Sequence, residues 1–371
     1  MYRHKSIGLL FAAMISALFL FNLIHADQPF SDRENRPLAK MPDLTLQQMI
    51  NGRFSDDFET YTTDQFAGKK AWVAIKALNE QLLLKKENNS IYKGKKGYLL
   101  EKYNQPGKQL MDNVGSLHAF AERYPIKSTL LLVPTAAETL KELLPFMAPS
   151  SSQMETIQKV ERAVENVDIK VIHPLAVLEK GDMENYYFKT DHHWTMHAAY
   201  KAYAQLGKRM GYKPLPKEAF SVRTVTTDFS GTLESKSNFL GIDKDRIDVY
   251  FPLFSMKYSM ILNNEMFDSI YDESYLKGKD QYAYFLKGNH PFVKLTSEAK
   301  TGKKLLVIKD SYAHVLVPFL MNHFSEIDMV DLRYNHSNIG SLLIKENYDQ
   351  LLYVYNVATF STDRDFIWLR Q

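Results

Sequence analysis

Residues 128–133 read Ser-Thr-Leu-Leu-Leu-Val and are followed directly by Pro134 and Thr135. A short, continuously apolar run of this kind is expected for a strand that is buried on both faces, as in the parallel sheets of α/β proteins. Proline cannot continue such a strand, because it lacks the amide hydrogen that the hydrogen-bond ladder needs. The stretch therefore predicts a buried strand that ends at residue 133.

Helical and strand-like patterns alternate on both sides of this strand. Leu117–Arg123 and Met154–Val167 have helical periodicity, and Ile169–Ile172 is predicted as the next strand. Met196–Met210 is predicted as a helix that Gly211 ends. Three further apolar runs are predicted as strands, with a helix between the last two: Lys304–Ile308, Asp328–Asp331 and Leu351–Tyr355. This alternation predicts an α/β fold with a largely parallel sheet.

The segments outside the alternation are predicted to be a lead-in and an insertion. Residues 27–45 are polar and contain prolines, and two amphipathic helices follow, one from Leu44 and one that has Trp72 and Leu82 on the same face. A hairpin is predicted at Tyr92–Leu100, and residues 213–300 are predicted as an insertion of β-structure and loops. We therefore expect three parts: a targeting segment at 1–26, a lead-in with helices at 27–115, and an α/β domain at 116–371 that holds the insertion.

The first residues carry a targeting signal. Residues 3–5 form a basic start, Ile7–Ile24 has no formally charged side chain, and the chain becomes polar after Ala26. This pattern is typical of a secretory signal peptide, and also of an uncleaved anchor, since the apolar run is nearly long enough to span a bilayer. Ala26 suits a cleavage site, but Ile24 is larger than such sites prefer, so both alternatives stay open. Either one predicts that the rest of the chain lies outside the cytoplasm.

Composition excludes several classes of protein. The 371 residues include 46 basic and 43 acidic side chains, a net charge of +3, which argues against a nucleic-acid partner. With no cysteine in the chain, a thiol nucleophile, a thiolate zinc site and disulfides are all excluded. The 22 tyrosines and 22 phenylalanines fit either core packing or a groove that stacks on sugar rings, and composition does not decide between them.

A first group of reactive side chains lies in Lys189–Thr195, which reads Lys-Thr-Asp-His-His-Trp-Thr. In an extended segment, Asp191 and His193 point to the same side. The carboxylate can then hold one imidazole nitrogen and leave the other for a nucleophile, as the acid of a serine triad does. By the same rule we expect His192 to point away and Trp194 to pack beneath.

Two other interpretations of this stretch remain open. It can be a hydrogen-bonded loop that closes the sheet without any chemical role. It can also be a metal site, because His193 and His197 are four residues apart and share a helix face if the helix begins early, with Asp191 as a third ligand. We nevertheless predict no metal and no cofactor, since no further ligand motif of known spacing is evident.

A second group lies in Ile308–Ala313, which reads Ile-Lys-Asp-Ser-Tyr-Ala. Ser311 follows a buried strand and is predicted to begin a helix, whose first N–H groups could stabilise an oxyanion. Serine needs a base within hydrogen-bonding reach, and His193 can serve only if the fold brings the two segments together. The alternative is that Asp310 and Ser311 simply cap a helix.

The carboxyl ends of parallel strands are where working residues gather in open sheets. Besides Ser311, this rule selects four positions that follow predicted strands: Thr135, Asp310, Arg333 and Asn356.

The stretch Tyr187–Thr195 resembles the signature of the DHHW protein family of bacteria. That family is similar to the alginate O-acetyltransferases, which act outside the cytoplasmic membrane and belong to the SGNH-hydrolase superfamily. Lys309–Ala313 is the second specific match. Weaker matches cover much of the chain after the targeting segment: Glu34–Leu38, Gly94–Leu100, Val133–Thr135 and Asp331–Tyr334.

The resemblance implies a flavodoxin-like, three-layer fold and a triad. Ser311 would be the nucleophile, His193 the base and Asp191 the acid that orients the base. In the alginate acetyltransferases the Asp-x-His also precedes the serine. One departure stands out, because Lys309 occupies the position of the glycine in the superfamily's Gly-Asp-Ser. We therefore expect the backbone to approach the substrate differently here.

Further residues of the site follow from the resemblance and from the strand ends. The N–H of Ser311 would be an oxyanion donor. The other candidates for oxyanion stabilisation or substrate binding are Thr135, Asp310, Tyr312, Arg333, Asn356 and Trp194.

The sequence thus leads to a hypothesis with two alternatives. The chain is expected to be an extracytoplasmic serine acyltransferase that acetylates a cell-surface or exported polysaccharide, with a membrane partner as a source of the acyl group. The first alternative is a carbohydrate acetylesterase, in which water is the acceptor. The second is a noncatalytic carbohydrate-binding or envelope-assembly protein, because a fold does not establish an activity.

Overall fold

A computed structural model describes residues 2–31, 36–50, 52–174 and 183–371. Glu34 and Asn35, part of one of the weaker family matches, lie outside these ranges. The chain forms two compact units, one of Met1–Lys85 with Asn238–Leu240 and one of Lys86–Ser237 with Gly241–Gln371. The division into parts at residues 26 and 115 stays a prediction.

The first unit is mainly helical. Its helices and short strands are α1 (Tyr2–Ile24), β1 (Phe30–Ser31), β2 (Arg36–Pro37), α2 (Leu46–Ile50), α3 (Arg53–Asp64) and α4 (Lys69–Leu82). Within α1, Ile7–Ile24 is long and apolar enough to cross a membrane, a property that a signal sequence shares.

The second unit contains an eight-stranded sheet, a small three-stranded sheet and a two-stranded ribbon. The strands are β3 (Glu87–Asn88), β4 (Ile91–Lys93), β5 (Leu99–Glu101), β6 (Ser128–Val133), β7 (Ile169–Ile172), β8 (Phe220–Phe229), β9 (Asp245–Pro252), β10 (Tyr258–Leu262), β11 (Glu265–Phe267), β12 (Phe292–Ser297), β13 (Lys304–Lys309), β14 (Glu326–Val330) and β15 (Gln350–Asn356). The large sheet has the order β11-β10-β12-β14-β13-β15-β6-β7. The five strands β14, β13, β15, β6 and β7 pair in parallel. The pairings of β12 with β14, β10 with β12 and β11 with β10 are antiparallel. The predicted α/β fold with a largely parallel sheet is confirmed.

Helices cover both faces of this sheet. The helices of the second unit are α5 (Lys108–Arg123), α6 (Ala136–Thr139), α7 (Gln153–Ala163), α8 (Met196–Met210), α9 (Thr232–Ser237), α10 (Val317–Leu320), α11 (Ile339–Glu346) and α12 (Val357–Thr362), of which α9 packs on the small three-stranded sheet instead. Alternate residues of β6 enter different apolar clusters, because successive side chains of a strand point to opposite faces. Leu131 and Val133 join the cluster that includes α8, whereas Leu130 and Leu132 join the cluster that includes α5 and α7. This double burial explains the continuously apolar run.

Several element boundaries match the sequence predictions, and others differ, among them the start of α5, which lies at Lys108 instead of Leu117. Strands β6 and β7 and helix α8 have the predicted bounds, and α8 ends at Gly211 in the left-handed conformation. The helix predicted to run to Val167 ends at Ala163. The helix predicted to begin at Ser311 is a 3₁₀ turn (Ser311–Val315), with the four-residue α10 after it. Pro318 lies at the start of α10, where it cannot donate a helical hydrogen bond to the preceding turn.

The residues 213–300 do contain β-structure, as predicted, in two arrangements. Strands β8 and β9 form the antiparallel ribbon, whereas β10, β11 and β12 extend the main sheet beyond β14. At the other side of β14, β13 pairs with β15, and β15 pairs with β6. The carboxyl ends of these central strands therefore lie side by side and bring Asp310, Asn356 and Thr135 to one edge of the sheet.

Candidate active site

The segment with the two histidines is a tight loop at the start of α8. A bridge joins Tyr187 to Trp194, and the Phe188 N–H donates to the His193 carbonyl at 3.3 Å. Thr195 then caps α8, where its hydroxyl accepts from the Ala198 N–H at 3.3 Å. The loop is thus fixed by backbone hydrogen bonds between its ends and by the side-chain cap of Thr195.

The loop brings His193 between Asp191 and Ser311. His193 Nδ1 lies 2.5 Å from Asp191 Oδ1, and His193 Nε2 lies 2.7 Å from Ser311 Oγ. Ser311 is 118 residues further along the chain. An ionised carboxylate can only accept hydrogen bonds, so Nδ1 of His193 carries the proton and Nε2 faces the serine as an acceptor.

Asp191 has four hydrogen bonds. Its Oδ1 accepts from the His193 backbone N–H at 2.9 Å as well as from the ring, and its Oδ2 accepts from the N–H and hydroxyl of Thr232 at 2.8 and 3.0 Å. Burial alone would raise the pKa of Asp191, but the two neighbouring histidines and these hydrogen bonds hold it well below its usual range. The carboxylate is therefore ionised at neutral pH.

Gly231 is required beside Asp191. A Cβ atom at this glycine would lie 2.2 Å from Asp191 Cβ and 2.7 Å from its Cα, closer than any side chain allows. The glycine thus lets the backbone at the start of α9 approach the carboxylate, so that Thr232 can reach it.

Two rings enclose the imidazole of His193. Tyr282 stacks on one side, with ring centroids 3.7 Å apart and planes 8° from parallel. His192 lies 3.8 Å away with a tilt of 39°. The imidazole is therefore held in place, and the face of the tyrosine can stabilise the positive charge when His193 takes a proton.

His192 does not point away from Asp191, so that expectation is wrong. Its Nδ1 lies 2.7 Å from the Thr232 hydroxyl and 3.6 Å from Asp191 Oδ1. Residues 189–193 form consecutive bends instead of an extended strand, and side chains of bends do not alternate between two sides.

Asp310 fixes the backbone around Ser311. Its Oδ1 accepts from the Tyr312 N–H at 2.8 Å, and its Oδ2 accepts from the backbone and side-chain N–H groups of Asn356, each at 2.8 Å. Burial raises the pKa of Asp310 to about 6, although these hydrogen bonds oppose the rise. The residue thus caps the turn and ties it to the end of β15.

Trp194 and Tyr312 join the two halves of the site. The Trp194 indole N–H donates to the Tyr312 carbonyl at 2.9 Å, and the Tyr312 hydroxyl donates to the His192 carbonyl at 2.5 Å. Both side chains are buried. Their contacts are with the protein, and the substrate contacts expected of them stay a prediction.

Lys309, which stands in place of a glycine, belongs to a buried polar cluster. Its Nζ donates to Asp331 Oδ2 at 3.0 Å and to His314 Nε2 at 2.9 Å. Arg333 binds the same carboxylate through two nitrogens, at 2.8 and 2.6 Å. The pKa of Lys309 is lowered by burial, which the charge of Asp331 partly offsets. The lysine side chain is thus used within the protein.

The remaining predicted residues also have protein partners. The Thr135 N–H donates to Gln153 Oε1 at 2.9 Å, and its hydroxyl accepts from Gln153 Nε2 at 2.7 Å. The Asn356 side-chain nitrogen donates to Asp310 and, at 2.7 Å, to the Thr359 hydroxyl. Arg333 is partly exposed beside Asp331. Their roles in binding or oxyanion stabilisation stay predictions.

The metal alternative requires Asp191, His193 and His197 to lie close together. The ligand atoms of Asp191, His192 and His193 lie within 4.8 Å of one another, but His197 is not part of this group. His197 instead bonds the Tyr250 hydroxyl at 2.8 Å. Both oxygens of Asp191 and both ring nitrogens of His193 already have hydrogen-bond partners. The ligand set of Asp191, His193 and His197 is therefore not brought together.

Sequence reasoning missed four residues of the site, all between 213 and 300: Gly231, Thr232, Asp245 and Tyr282. Asp245 accepts from the N–H groups of Lys189 and Thr190 at 2.9 and 2.8 Å, and from the Thr190 hydroxyl at 2.6 Å. Burial raises the pKa of Asp245. A Ser-Gly-Thr run at 230–232 was the one local signal, since these residues favour turns and helix starts.

Known proteins resemble the chain in sequence and in structure. The DHHW protein family matches residues 125–330, more than half of the chain. No curated protein matches the sequence. A DHHW family protein from Eubacterium siraeum has a TM-score of 0.67 and 20% identity, over 76% of this chain and 96% of that one. PatB1 of Bacillus cereus with a sulfonyl adduct has a TM-score of 0.60 and 18% identity, over 75% and 98%. The O-acetyltransferase domain of AlgJ from Pseudomonas putida has a TM-score of 0.46 and 11% identity, over 76% and 98%.

The first two structures share the fold. The residues that the family model matches, 125–330, include the loop at Asp191 and the turn at Ser311. The resemblance found in the sequence is thereby confirmed, and the chain belongs to the DHHW protein family.

Proposed function

We propose that the protein is an extracytoplasmic serine acyltransferase that acetylates hydroxyl groups of a cell-surface or exported polysaccharide. One observation carries this proposal: the continuous hydrogen-bond chain from Asp191 through His193 to Ser311, with distances of 2.5 and 2.7 Å. An imidazole between a buried carboxylate and a serine hydroxyl is the arrangement that activates a serine for acyl transfer.

The reaction begins with proton transfer from Ser311 to His193. Ser311 Oγ attacks the carbonyl carbon of an acyl donor, and His193 Nε2 takes the hydroxyl proton. The bond to the leaving group breaks, and the leaving group receives that proton from His193. An acyl-serine ester remains. His193 then removes the proton of a sugar hydroxyl, whose oxygen attacks the acyl-serine. The Ser311 Oγ–carbonyl bond breaks, and Ser311 recovers the proton.

The Ser311 N–H is the first oxyanion donor in this proposal. It begins the 3₁₀ turn, and the first N–H groups of a helical turn have no acceptor within the turn. The Thr135 hydroxyl is a second candidate, because its oxygen accepts from Gln153 and its hydrogen remains to donate. Asn356 is a weaker candidate, since its side-chain nitrogen already donates to Asp310 and Thr359.

The family resemblance supports a polysaccharide as the acceptor, and the N-terminal apolar segment supports a location outside the cytoplasm. The motifs at Asp191 and Ser311 resemble those of the alginate O-acetyltransferases. PatB1, which shares the fold, has been solved with a sulfonyl adduct, and such an adduct requires a nucleophile. The apolar Ile7–Ile24 supports a location outside the cytoplasm, with or without a membrane anchor. A membrane protein that delivers the acyl group belongs to the same proposal.

The test compares the wild type with Ser311→Ala and with the exposed control Ser150→Ala. We expect hydrolysis of 4-nitrophenyl acetate and acetyl transfer to a polysaccharide by the wild type and the control. Ser311→Ala should lose both activities and the acetyl-enzyme mass. If the alanine variant keeps full activity, the triad is wrong. If the wild type hydrolyses the donor but transfers to no saccharide, it is an acetylesterase. Loss of activity on chelation would instead favour the metal alternative.

A further inference from the structure

His192 is the part of the histidine pair that reaches solvent. Its side chain is 31% exposed, against 7% for His193 and 2% for Asp191. The two imidazole centroids lie only 3.8 Å apart. A molecule that approaches His193 from solvent therefore meets His192 next to it.

The hydrogen bonds fix which nitrogen of His192 carries a proton. Thr232 has one hydroxyl hydrogen and donates it to Asp191 Oδ2 at 3.0 Å, because the ionised carboxylate can only accept. The Thr232 oxygen must then accept from His192 Nδ1, which lies 2.7 Å away. His192 is thus the tautomer with hydrogen on Nδ1 and a lone pair on Nε2. Partial burial, followed by the charge of His193, lowers the pKa of His192, so the ring stays neutral at neutral pH.

The lone pair of His192 points away from Asp191, as that of His193 does. Both histidines turn Nδ1 towards Asp191, at 2.5 Å for His193 and 3.6 Å for His192, so both Nε2 atoms project away from that carboxylate. Nε2 of His193 reaches Ser311 in this direction. Within the residues that the structure describes, no donor is bonded to Nε2 of His192, which leaves it open to a ligand.

We propose that His192 Nε2 binds the acceptor sugar by accepting a hydrogen bond from a group next to the attacking hydroxyl. This inference rests on the proposed acyltransferase function. The attacking hydroxyl has a single proton, which His193 must remove, so His192 binds a different donor on the same sugar. A vicinal hydroxyl or an amide N–H fits. No proton is transferred to His192, which aligns the sugar and distinguishes it from water and simple alcohols.

The rival explanation is purely structural: His192 Nδ1 only supports Thr232, which holds Asp191. Two variants separate the roles. His192→Asn keeps an amide near the position of Nδ1 and removes Nε2. His192→Gln extends an amide to the position of Nε2 and loses the contact with Thr232. His118→Asn, on α5, is a matched control outside the site.

The test measures acetyl transfer from 4-nitrophenyl acetate to cyclohexanol and to vicinal cyclohexanediol. We expect the wild type and the control to prefer the diol. In His192→Asn the ratio of diol to cyclohexanol transfer should fall roughly fivefold to tenfold, as for the loss of one hydrogen bond. His192→Gln should keep most of the preference, and thermal unfolding checks that both variants fold.

Two results would overturn this proposal: a wild type without preference for the diol, or a His192→Asn variant that keeps the preference, whether its rates are unchanged or fall equally with both acceptors. Failure of the proposed function looks different, because the wild type would then transfer acetyl to neither alcohol, or Ser311→Ala would transfer as well as the wild type.

Discussion

Thr232 holds Asp191 through two hydrogen bonds, from its N–H at 2.8 Å and its hydroxyl at 3.0 Å, although the residues are 41 positions apart. Thr232 begins α9, which lies in the irregular stretch between 213 and 300. The orientation of the acid in the proposed triad therefore depends on a segment that has no reactive motif of its own.

Replacement of Thr232 by valine removes the hydroxyl while nearly keeping the shape of the side chain. Asp191 then loses one bond, and His192 Nδ1 loses its acceptor. Hydrogen bonds to charged groups contribute about 1.5–3 kcal/mol, so we expect kcat/KM for 4-nitrophenyl acetate to fall roughly 10- to 100-fold. Thr232→Ser keeps the hydroxyl and should stay near the wild type. Equal rates for the valine and serine variants would contradict this role.

Asp245 is predicted to stabilise the loop that precedes Asp191. It accepts three hydrogen bonds from Lys189 and Thr190, and an asparagine would place an N–H group where only acceptors fit. We expect Asp245→Asn to lower the free energy of unfolding by about 1–3 kcal/mol, measured in urea, and to lower kcat/KM as well. The exposed neighbour Asp243→Asn serves as the control. An unchanged unfolding free energy in Asp245→Asn would show that the bonds contribute nothing.

The sequence predicted the parts of the site that depend on local pattern. The apolar run of β6 reports burial on both faces of a sheet. Asp191 and His193 pair as predicted, although the segment between them bends instead of extending. The order of strands then brings Ser311 to the edge of the sheet where β15 and β6 also end, because the carboxyl ends of parallel strands lie together.

The residues of the site that the sequence did not predict depend on contacts between distant segments of the chain. Tyr282 stacks on His193 and Thr232 bonds Asp191, yet no periodicity in residues 213–300 connects either of them with the loop. His192 was misplaced because the alternation rule holds for a strand and residues 189–193 bend. Local sequence patterns thus predict the candidate reacting groups. The residues that hold these groups in place, such as Thr232 and Tyr282, are set by tertiary packing.

The buried cluster around Lys309 predicts an asymmetry between two substitutions. Asp331 is the partner of both Lys309 and Arg333, so Asp331→Asn leaves two cations without a counter-charge. Loss of the partner of a buried charge costs about 3–5 kcal/mol. Lys309→Met should cost much less, because Arg333 remains paired with Asp331. Urea unfolding of both variants checks this order, and equal losses would mean that Arg333 does not compensate.

The pH dependence of stability provides a test of Asp310. Burial raises the pKa of this carboxyl in the folded protein to about 6, against the hydrogen bonds from Asn356 and Tyr312, and its ordinary value is 3.8. Between these values the folded state keeps a proton that the unfolded state has released. The contribution of Asp310 to the free energy of unfolding therefore falls as the pH rises from about 4 to about 6, and stays low above it.

Asparagine does not titrate, so the difference in unfolding free energy between the wild type and Asp310→Asn isolates this group from the histidines. We expect the wild type to lose stability relative to Asp310→Asn between about pH 4 and pH 6, with little further change up to about pH 7. Urea unfolding at several pH values measures the difference, and Asp243→Asn should follow the wild type throughout. If the wild type instead gains stability relative to Asp310→Asn as the pH rises, hydrogen bonds to the ionised carboxylate outweigh its burial, and the pKa of Asp310 is lowered.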